Sequence, residues 1–246
     1  MGTAISLQIS DPLPESRLHE LADDVFDWLR AVDRRFSTYL EDSEVNRFDR
    51  GELSVGECSA DLRTVIDACA SLWRTTDGYF DAYATGRFDP SGYVKGWSVQ
   101  VASDRLLAAG SGSHWINAGG DIRARGGPAP GQPWRMGVRH PEQADKICWV
   151  LTGHDFAIAT SGTYERGHHV IDPHTGRPAT ALRSVTVVGA DLGLADAYAT
   201  AGLAMGRGGL RWLAALPGYE VGVINADLEG FCSAGFPALP DDDPAG

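Results

Sequence analysis

The sequence predicts one compact α/β domain, of the α+β kind, in which helices flank a mixed β-sheet. Its 246 residues are enough for one substantial buried core. Residues 18–36 place apolar side chains at helical spacing, and several short segments rich in β-branched and aromatic residues are typical of strands. No internal repeat or domain-separating linker is visible. We therefore expect residues 1–238 to form the domain and residues 239–246 to form an acidic, flexible tail.

The elements follow in chain order. Alternating apolar residues predict a first strand within residues 1–9, and Ser43 is placed to cap a short helix after the long one at 18–36. Further helices are expected over 60–74, 98–108, 195–205 and 210–216. Strands are expected over 114–117, 134–138, 147–151, 156–160, 184–188 and 220–225. The Gly- and Pro-rich segment 126–133 is expected to be a loop.

The charge of the chain limits its partners. A formal net charge of -12 argues against a nucleic-acid or anionic-membrane binder, because both need a basic surface. A polyanionic ligand would need local basic residues or a metal ion. The first residues carry no basic start and no apolar run of signal length, and no later stretch approaches about eighteen uninterrupted apolar residues. We expect no membrane span and a cytoplasmic location, with a leader trimmed from the given sequence as the alternative.

The cysteines suggest no metal or disulfide framework. Cys58, Cys69, Cys148 and Cys232 are far apart, and no CxxC pair occurs. We expect them to be reduced, buried thiols.

Histidine, aspartate and turn-forming residues are concentrated in residues 167–176. His168 and His169 are adjacent, so in an extended chain they face opposite sides and are poorly placed to chelate one metal together. His169 is a candidate general base for a hydroxyl group, since histidine titrates near neutral pH. The alternative is a hydrogen-bonded structural histidine. Residues 172–176 are also a good turn on structural grounds alone.

Asp196 and Thr200 stand one helical turn apart in a predicted helix and offer two oxygen ligands on one face. Such ligands suit a hard cation that keeps waters and binds phosphate, so magnesium fits better than zinc. The alternative is a capping or packing pair. Together with residues 167–176, this pair indicates a site for magnesium and phosphate.

Two further segments are candidates for phosphate contact. In residues 117–121 two glycines directly follow a strand, which lets backbone N–H groups approach an anion. An ordinary tight turn is the alternative. In residues 89–96, Lys95 stands between turn residues ahead of a predicted helix, where a cation and a helix N-terminus would meet phosphate oxygens. A solvated surface lysine is the alternative.

In the residues of its short motifs and in their order along the chain, the sequence resembles the ApbE family, the FAD:protein FMN transferases. Single pieces such as Gly-Tyr-Phe-Asp at 78–81 or His-Val-Ile-Asp-Pro at 169–173 are weak signals, but their shared order makes coincidence unlikely. The similarity extends over roughly residues 1–206. The matching segments are residues 1–3, 36–39 with 43–44, 78–81, 92–96, 118–121, 160–162 with 164–166, 169–176, 184–187 and 196–206.

This resemblance implies a fold of the flavin-transferase type and a magnesium-dependent transfer of FMN from FAD to a threonine of an acceptor protein, with release of AMP. The acceptor would be a separate protein that carries a short threonine-containing flavinylation motif. Asp196 and Thr200 would ligate Mg²⁺, with the backbone carbonyl of Val94 as a third ligand, and His169 would take the proton of the acceptor threonine. Asp172 would orient that loop.

The resemblance also implies which residues contact FAD, with Tyr39 and Asp81 favoured for flavin or adenine contacts. The FAD site would be lined by Ser37, Thr38, Tyr39, Asp81, Lys95, Gly119, Gly120, Asp121, Ser161, Gly162 and Thr186.

The chain departs from the family pattern at three places. Val94 stands where the family usually has Ala or Gly, and residues 82–86 differ from the usual continuation, so that Tyr83 is expected to reshape the flavin pocket. Gln100 replaces an acidic residue, which is expected to alter or remove an adenine or ribose contact.

Two other functions remain open from the sequence. In an FAD pyrophosphatase, water would replace the threonine hydroxyl and free FMN and AMP would result. A non-catalytic FAD-binding module would store or deliver FAD. A flavin redox enzyme of the Rossmann type is disfavoured, since no GxGxxG opens a βαβ unit.

Overall fold

The computed structural model describes residues 3–143, 145–163 and 170–239. Its helices are α1 (Glu15–Phe36), α2 (Glu44–Asp49), α3 (Ala60–Thr75), α4 (Ser91–Ala108), α5 (Leu192–Met205) and α6 (Gly209–Leu213). Its strands are β1 (Ile5–Ile9), β2 (His114–Ala118), β3 (Asp121–Arg125), β4 (Trp134–Arg139), β5 (Ile147–Gly153), β6 (Asp155–Gly162), β7 (Ile171–Asp172), β8 (Arg177–Pro178), β9 (Leu182–Gly189), β10 (Glu220–Asn225) and β11 (Gly230–Cys232).

Seven strands form the main sheet in the order β1-β2-β3-β6-β9-β10-β11. The predicted combination of a sheet with flanking helices is confirmed. The expectation of a mixed sheet is corrected, because every strand pair of this sheet within the described residues is antiparallel. Tight turns such as Gly119-Gly120 join neighbouring strands directly, and a two-residue connection of this kind can serve only antiparallel strands.

The two faces of the sheet are covered differently. Helices α4 and α5 pack against each other and against one face, where Val185 and Val187 of β9 enter the main core. Val188, on the opposite face, packs with residues of the β4-β5 hairpin in a second, smaller core. The alternation of side chains along β9 thus assigns successive residues to different layers.

Helix α4 begins seven residues earlier than the sequence predicts. The interpretation of Lys95 as a turn residue ahead of a helix is wrong, because Lys95 lies inside α4. Gly96 has no room for a side chain, since a Cβ there would overlap the Leu192 carbonyl and lie 2.8 Å from the Asp196 Cβ. This glycine permits close packing of α4 on α5, so tertiary packing explains a residue that local preference assigns to a turn.

Most other predicted elements are confirmed, and Ser43 caps α2 by accepting a hydrogen bond from the Asn46 N–H at 3.3 Å. Strand β3 was not predicted from the sequence, because Asp121, Arg123 and Arg125 give it a charged pattern. Its first four residues are nevertheless buried. No described helix is long and apolar enough to cross a membrane.

The prediction for the thiols is corrected in part, and the tail stays a prediction. The Leu239 N–H donates to the Val150 carbonyl at 2.8 Å, so residue 239 is bound to β5, while 240–246 lie outside the described residues. All four cysteines are free, but Cys232 is exposed and Cys148 is half-buried. Burial raises the pKa of the Cys69 thiol to about 12, so this thiol stays protonated near neutral pH.

Candidate active site

A cavity of about 920 Å³ brings together most of the predicted site residues. It lies beside the α1-α2 loop, the first turn of α4, the β2-β3 turn, the end of β6 and the middle of α5. The predicted residues that line it are Ser37, Thr38, Tyr39, Asp81, Val94, Lys95, Gly119, Ser161, Gly162, Asp196 and Thr200. Segments far apart in sequence therefore meet at one place, as the site prediction requires.

Helix α5 supplies the buried polar groups of this cavity. Asp196 is 3% exposed, and its Oδ2 accepts the Gly96 N–H at 3.0 Å. Thr200 follows one turn later, with its Oγ1 3.2 Å from Ser161 Oγ of β6. A Cβ on Gly92 would lie 3.5 Å from Thr200 Oγ1, which shows how closely the first turn of α4 approaches this hydroxyl. The glycines of α4 thus let this helix approach the oxygen atoms of Asp196 and Thr200 on α5 closely.

Lys95 brings a positive charge to the two buried carboxylates. Its ammonium pairs directly with Asp121 Oδ2 and lies 3.5 Å from Asp196 Oδ1. Asp121 is 1% exposed, and its Oδ1 accepts the Thr160 N–H at 3.1 Å. Burial raises the pKa of the Asp196 carboxyl, and the Lys95 charge and the Gly96 N–H oppose that rise.

Oxygen donors dominate the deep end of the cavity. The Asp196 carboxylate, the Thr200 hydroxyl and the nearby first turn of α4 with Val94 fit a hard cation such as Mg²⁺. Among the residues that the structure describes, no group of three or more His, Cys, Asp and Glu side chains is arranged to hold a metal. The donor set therefore suits a cation that keeps part of its coordination for water and phosphate, rather than a closed protein cage.

Tyr39 stands at the rim of the cavity and is 92% exposed. The loop that carries it is held by short-range bonds, because Ser37 Oγ accepts the N–H groups of Tyr39 and Leu40, each at 3.3 Å. The Asn46 side-chain amide donates to the Leu40 carbonyl at 2.8 Å. An aromatic ring on a fixed loop beside a cavity is available for stacking against a planar ring.

Asp81 lines the cavity while its Oδ1 accepts the Tyr83 N–H at 2.8 Å. Tyr83 itself is not among the described lining residues, and its ring packs against Phe88 with centroids 5.2 Å apart. The expectation that Tyr83 reshapes the pocket is therefore not supported by its position.

The glycine turn between β2 and β3 does not offer its amides to an anion. The Gly119 N–H donates to the Ala4 carbonyl at 3.2 Å, and the Gly120 N–H donates to Asn117 Oδ1 at 2.8 Å. Both glycines have positive φ, at 63° and 103°. The ordinary-turn alternative explains these residues, although Gly119 also borders the cavity.

Two further predicted positions lie away from the cavity lining. Thr186 is fully buried, and its Oγ1 is 3.0 Å from Thr160 Oγ1. Its neighbours Val185 and Val187 face the helices, so Thr186 points to the opposite side of the sheet. Asp121 is connected to the cavity through its partners Lys95 and Thr160, which line it.

Gln100 is part of the core rather than of the ligand site. Its Oε1 accepts the Arg123 Nε–H and the Leu192 N–H, both at 3.1 Å, and its amide donates to Asp104. The Gln100 oxygen accepts two of these bonds and the amide nitrogen donates one, and the residue does not border the cavity, so its position does not support an adenine or ribose contact.

Residues 170–178 form a small hairpin next to the cavity. Asp172 holds its turn, since Oδ1 accepts the His174 N–H and Oδ2 accepts the Thr175 hydroxyl, both at 2.9 Å. This arrangement agrees with the predicted loop-orienting role of Asp172. The candidate base His169 lies outside the described residues.

Several lining residues were not predicted from the sequence, among them Thr3, Asp33, Ser91, Gly92 and Thr160. Ser91 and Gly92 precede Lys95 in the segment that was interpreted as a turn. A prediction that α4 begins at Ser91 would have placed both residues beside Lys95 in the first turns of the helix. Thr3 and Thr160 lie in segments that match the family, which would have indicated them, whereas Asp33 carries no local signal in sequence.

Known proteins similar to this chain indicate the family to which it belongs. A family model described as the ApbE family matches residues 1–86 and 82–223. The chain belongs to the ApbE family. The resemblance that the motifs indicated is thereby confirmed.

Curated relatives of the chain bear the name FAD:protein FMN transferase. One from Vibrio cholerae is 37% identical over 129 residues, which are 48% of this chain and 39% of the relative. Another, from Salmonella typhimurium, is 32% identical over 155 residues, which are 58% of this chain and 44% of the relative. The matched regions thus span less than half of each of these relatives.

Solved ApbE structures match over nearly the whole chain. Flavin Transferase ApbE from Vibrio cholerae aligns with a TM-score of 0.83 and 26% identity, and the match covers 97% of this chain and 96% of that one. The ApbE protein of Thermotoga maritima aligns with a TM-score of 0.84 and 23% identity over 95% of this chain and 94% of that one. The second likeness concerns the fold alone. Together they confirm the predicted fold class.

Proposed function

We propose that this chain is a magnesium-dependent FAD:protein FMN transferase, which moves FMN from FAD to a threonine hydroxyl of an acceptor protein and releases AMP. The observation that carries the proposal is the cavity of about 920 Å³ with the buried Asp196 carboxylate beside the Thr200 hydroxyl. Its volume lies in the range of sites that bury whole small-molecule ligands. The names of the relatives support the same reaction.

Asp196, Thr200 and the backbone carbonyl of Val94 are the groups that would hold Mg²⁺. When bound, the ion neutralises charge on the diphosphate of FAD. Lys95 adds a second positive charge within the same cavity. The cavity therefore needs few basic residues to accept a polyanion, which reconciles a chain of net charge -12 with an anionic substrate.

The transfer itself requires a nucleophile, a base and a leaving group. The threonine oxygen of the acceptor bonds to the FMN phosphorus, and the bond from that phosphorus to the bridging oxygen breaks. AMP leaves with the bridging oxygen, and His169 accepts the threonine proton as general base. Tyr39 and Asp81 at the cavity would hold the flavin or the adenine ring.

The test is to incubate the purified chain with FAD and Mg²⁺, with and without an acceptor protein that carries a threonine flavinylation motif. We expect the acceptor mass to increase by one FMN, with AMP appearing in parallel by HPLC and both changes abolished by a chelator. Free FMN and AMP without a labelled acceptor would replace the proposal with an FAD pyrophosphatase. FAD that is bound and unchanged would replace it with a binding module.

His169→Ala is expected to abolish transfer while FAD still binds, because only the proton acceptor is removed. Acceptor labelling and FAD fluorescence quenching measure the two properties separately. Transfer at the native rate by this variant would refute the assignment of His169 as base.

We also propose that the acceptor is a separate protein and that this chain resides in the cytoplasm. The chain would act on a separate protein rather than on itself, and fractionation of cells that produce the natural gene product tests where it resides. Recovery of the protein outside the cytoplasmic fraction would contradict the proposed location.

A further inference from the structure

The cation nearest to Asp196 is a side chain of the protein itself. The Lys95 ammonium lies 3.5 Å from Asp196 Oδ1 and pairs with Asp121 Oδ2. The Lys95 side chain is 26% exposed, whereas both carboxylates are almost fully buried. Lys95 and Asp196 both line the cavity, and the lysine is the more exposed of the two.

The other oxygen of each carboxylate is already fixed by the backbone. Asp196 Oδ2 accepts the Gly96 N–H at 3.0 Å, and Asp121 Oδ1 accepts the Thr160 N–H at 3.1 Å. Oδ1 of Asp196, the oxygen that faces Lys95, is thus the more available of the two for a metal. A divalent cation on this oxygen would meet a like charge at close range in a site with little water, where repulsion is strong.

Moving the helices apart to relieve this repulsion would break close packing between them. Gly96 of α4 packs so tightly on Leu192 and Asp196 of α5 that a Cβ would overlap them. The flexible Lys95 side chain is the part that can move, and a diphosphate in the cavity offers its ammonium another anion.

We propose that Lys95 is an internal counter-ion that keeps divalent cations off Asp196 until a diphosphate draws the ammonium away. Metal binding is thereby conditional on the nucleotide. The inference rests on the proposed function for its choice of metal and diphosphate. It makes Lys95 a regulator of metal occupancy in addition to any contact with phosphate.

The chain offers a matched control, because it contains only two lysines, Lys95 and Lys146. Lys146 is exposed and lies outside the cavity lining. The probe is Mn²⁺, with free Mn²⁺ measured by electron paramagnetic resonance in the absence of nucleotide. We expect Lys95→Met to bind Mn²⁺ at least about tenfold more tightly than the wild type, and Lys146→Met to match the wild type.

Asp196→Asn combined with Lys95→Met should remove the gained Mn²⁺ affinity. Lys95→Met leaves the Asp121 carboxylate buried without its partner. A second variant therefore combines Lys95→Met with Asp121→Asn, which removes both charges of the pair. A smaller gain in Mn²⁺ affinity is expected there, since the Asp121 charge is lost as well.

The movement of Lys95 has a separate readout. Reductive ¹³C-methylation labels the two lysines and the N-terminal amine, and the Lys146→Met variant assigns the Lys95 signal. ADP without metal is expected to shift the Lys95 resonance and to leave that of Lys146 in place.

Mn²⁺ affinity that is unchanged in both Lys95 variants, or a gain that survives Asp196→Asn, would overturn the proposal. A Lys95 resonance that ADP leaves in place would overturn it too. A gained Mn²⁺ site and a shifted Lys95 signal in a protein that labels no acceptor would keep this proposal and refute the proposed transfer. A protein that labels the acceptor but shows neither the gained Mn²⁺ affinity nor the shifted Lys95 signal would keep the proposed transfer and refute this proposal.

Discussion

Two polar clusters lie beside helix α4 and differ in how completely their buried members use their hydrogen bonds. The cavity cluster consists of Lys95, Asp121 and Asp196, and the inner network consists of Gln100, Ser103, Asp104, His114, Arg123, Arg125 and Asp155. In the inner network Arg123 donates to Gln100, to the Ala124 and Phe156 carbonyls and to Asp155. In the cavity cluster Asp196 has one backbone hydrogen bond and a lysine at 3.5 Å.

The comparison separates groups that build the fold from groups that await a ligand. A buried polar network with all its bonds made stabilises one conformation, and the loss of one partner is costly. A buried carboxylate with unused hydrogen-bonding capacity destabilises the ligand-free protein, and only a ligand that binds the carboxylate offsets that cost. The predictions below change one of the two clusters, or the exposed Tyr39 at the cavity, and measure stability, function or both.

Asp196→Asn should have the largest effect on function. The amide keeps an oxygen for the Gly96 N–H but loses the charge that a metal needs, so we expect metal-stimulated transfer to fall by at least about a hundredfold. The melting temperature should stay equal or rise, because a buried charge is removed. Initial rates across a Mg²⁺ titration and thermal melts measure both, with the exposed Asp23→Asn as control.

An Asp196→Asn protein with native metal-stimulated rates would show that Asp196 has no role in the reaction. A large fall in melting temperature would instead place Asp196 among the residues that build the fold.

Arg123→Met should have the largest effect on stability. It removes the Arg123 donors from the Ala124 and Phe156 carbonyls and leaves Gln100 Oε1 with the Leu192 N–H alone, so we expect a loss of about 1 to 3 kcal/mol in the free energy of unfolding. FAD affinity of the folded fraction should change little. Urea denaturation measures the loss, with Arg30→Met as the matched control, because the Arg30–Asp27 pair is exposed and worth under about 1 kcal/mol. Equal losses for the two variants would contradict the distinction between the clusters.

His114 should make the inner network sensitive to acid. It is fully buried, with Nε2 2.8 Å from Ser103 Oγ, and burial followed by the charge of Arg125 lowers its pKa to about 4. Asp11 and Arg123 also act on it, in opposite directions. Because the unfolded chain binds a proton near pH 6.5 and the folded chain near 4, stability should fall as pH drops through this window, by up to about 3 kcal/mol.

His114→Gln should remove that part of the pH dependence between pH 6.5 and 4, although it also lowers stability at neutral pH. The measurement is the free energy of unfolding of both proteins across this range. Parallel curves would show that His114 does not cause the acid sensitivity.

Tyr39→Ala should have the smallest effect and should act on the ligand alone. Since the ring is 92% exposed, its removal should leave the melting temperature unchanged. The loss of stacking should raise the Kd for FAD by about fivefold, which is near 1 kcal/mol. Tyr83→Ala is the control, because that ring lies outside the described cavity lining and should leave the Kd unchanged. Similar Kd values for both variants would remove Tyr39 from the FAD site.

Particular residues show how far sequence reasoning reached into the site. Asp196, Thr200 and Tyr39 were predicted from a helical spacing or a shared motif, and the structure places them in one cavity. Thr186 was carried over by the same resemblance, but the alternation of β9 turns it to the far face of the sheet. A strand residue changes layer with a shift of one position, so its motif alone does not decide which side it serves.

Local sequence determined the elements and the family of this protein. Apolar spacing defined α1 and α3, and Ser43 was recognised as a helix cap from its own neighbourhood, because these features depend on contacts within a few residues. Tertiary structure alone decided that Gly96 packs inside a helix, that the amides of Gly119 and Gly120 donate within the protein, and that Lys95 faces Asp196. Apart from the Gly120 bond to Asn117 in the same turn, these are contacts between segments distant in sequence, and the local pattern of one segment does not contain the position of the other.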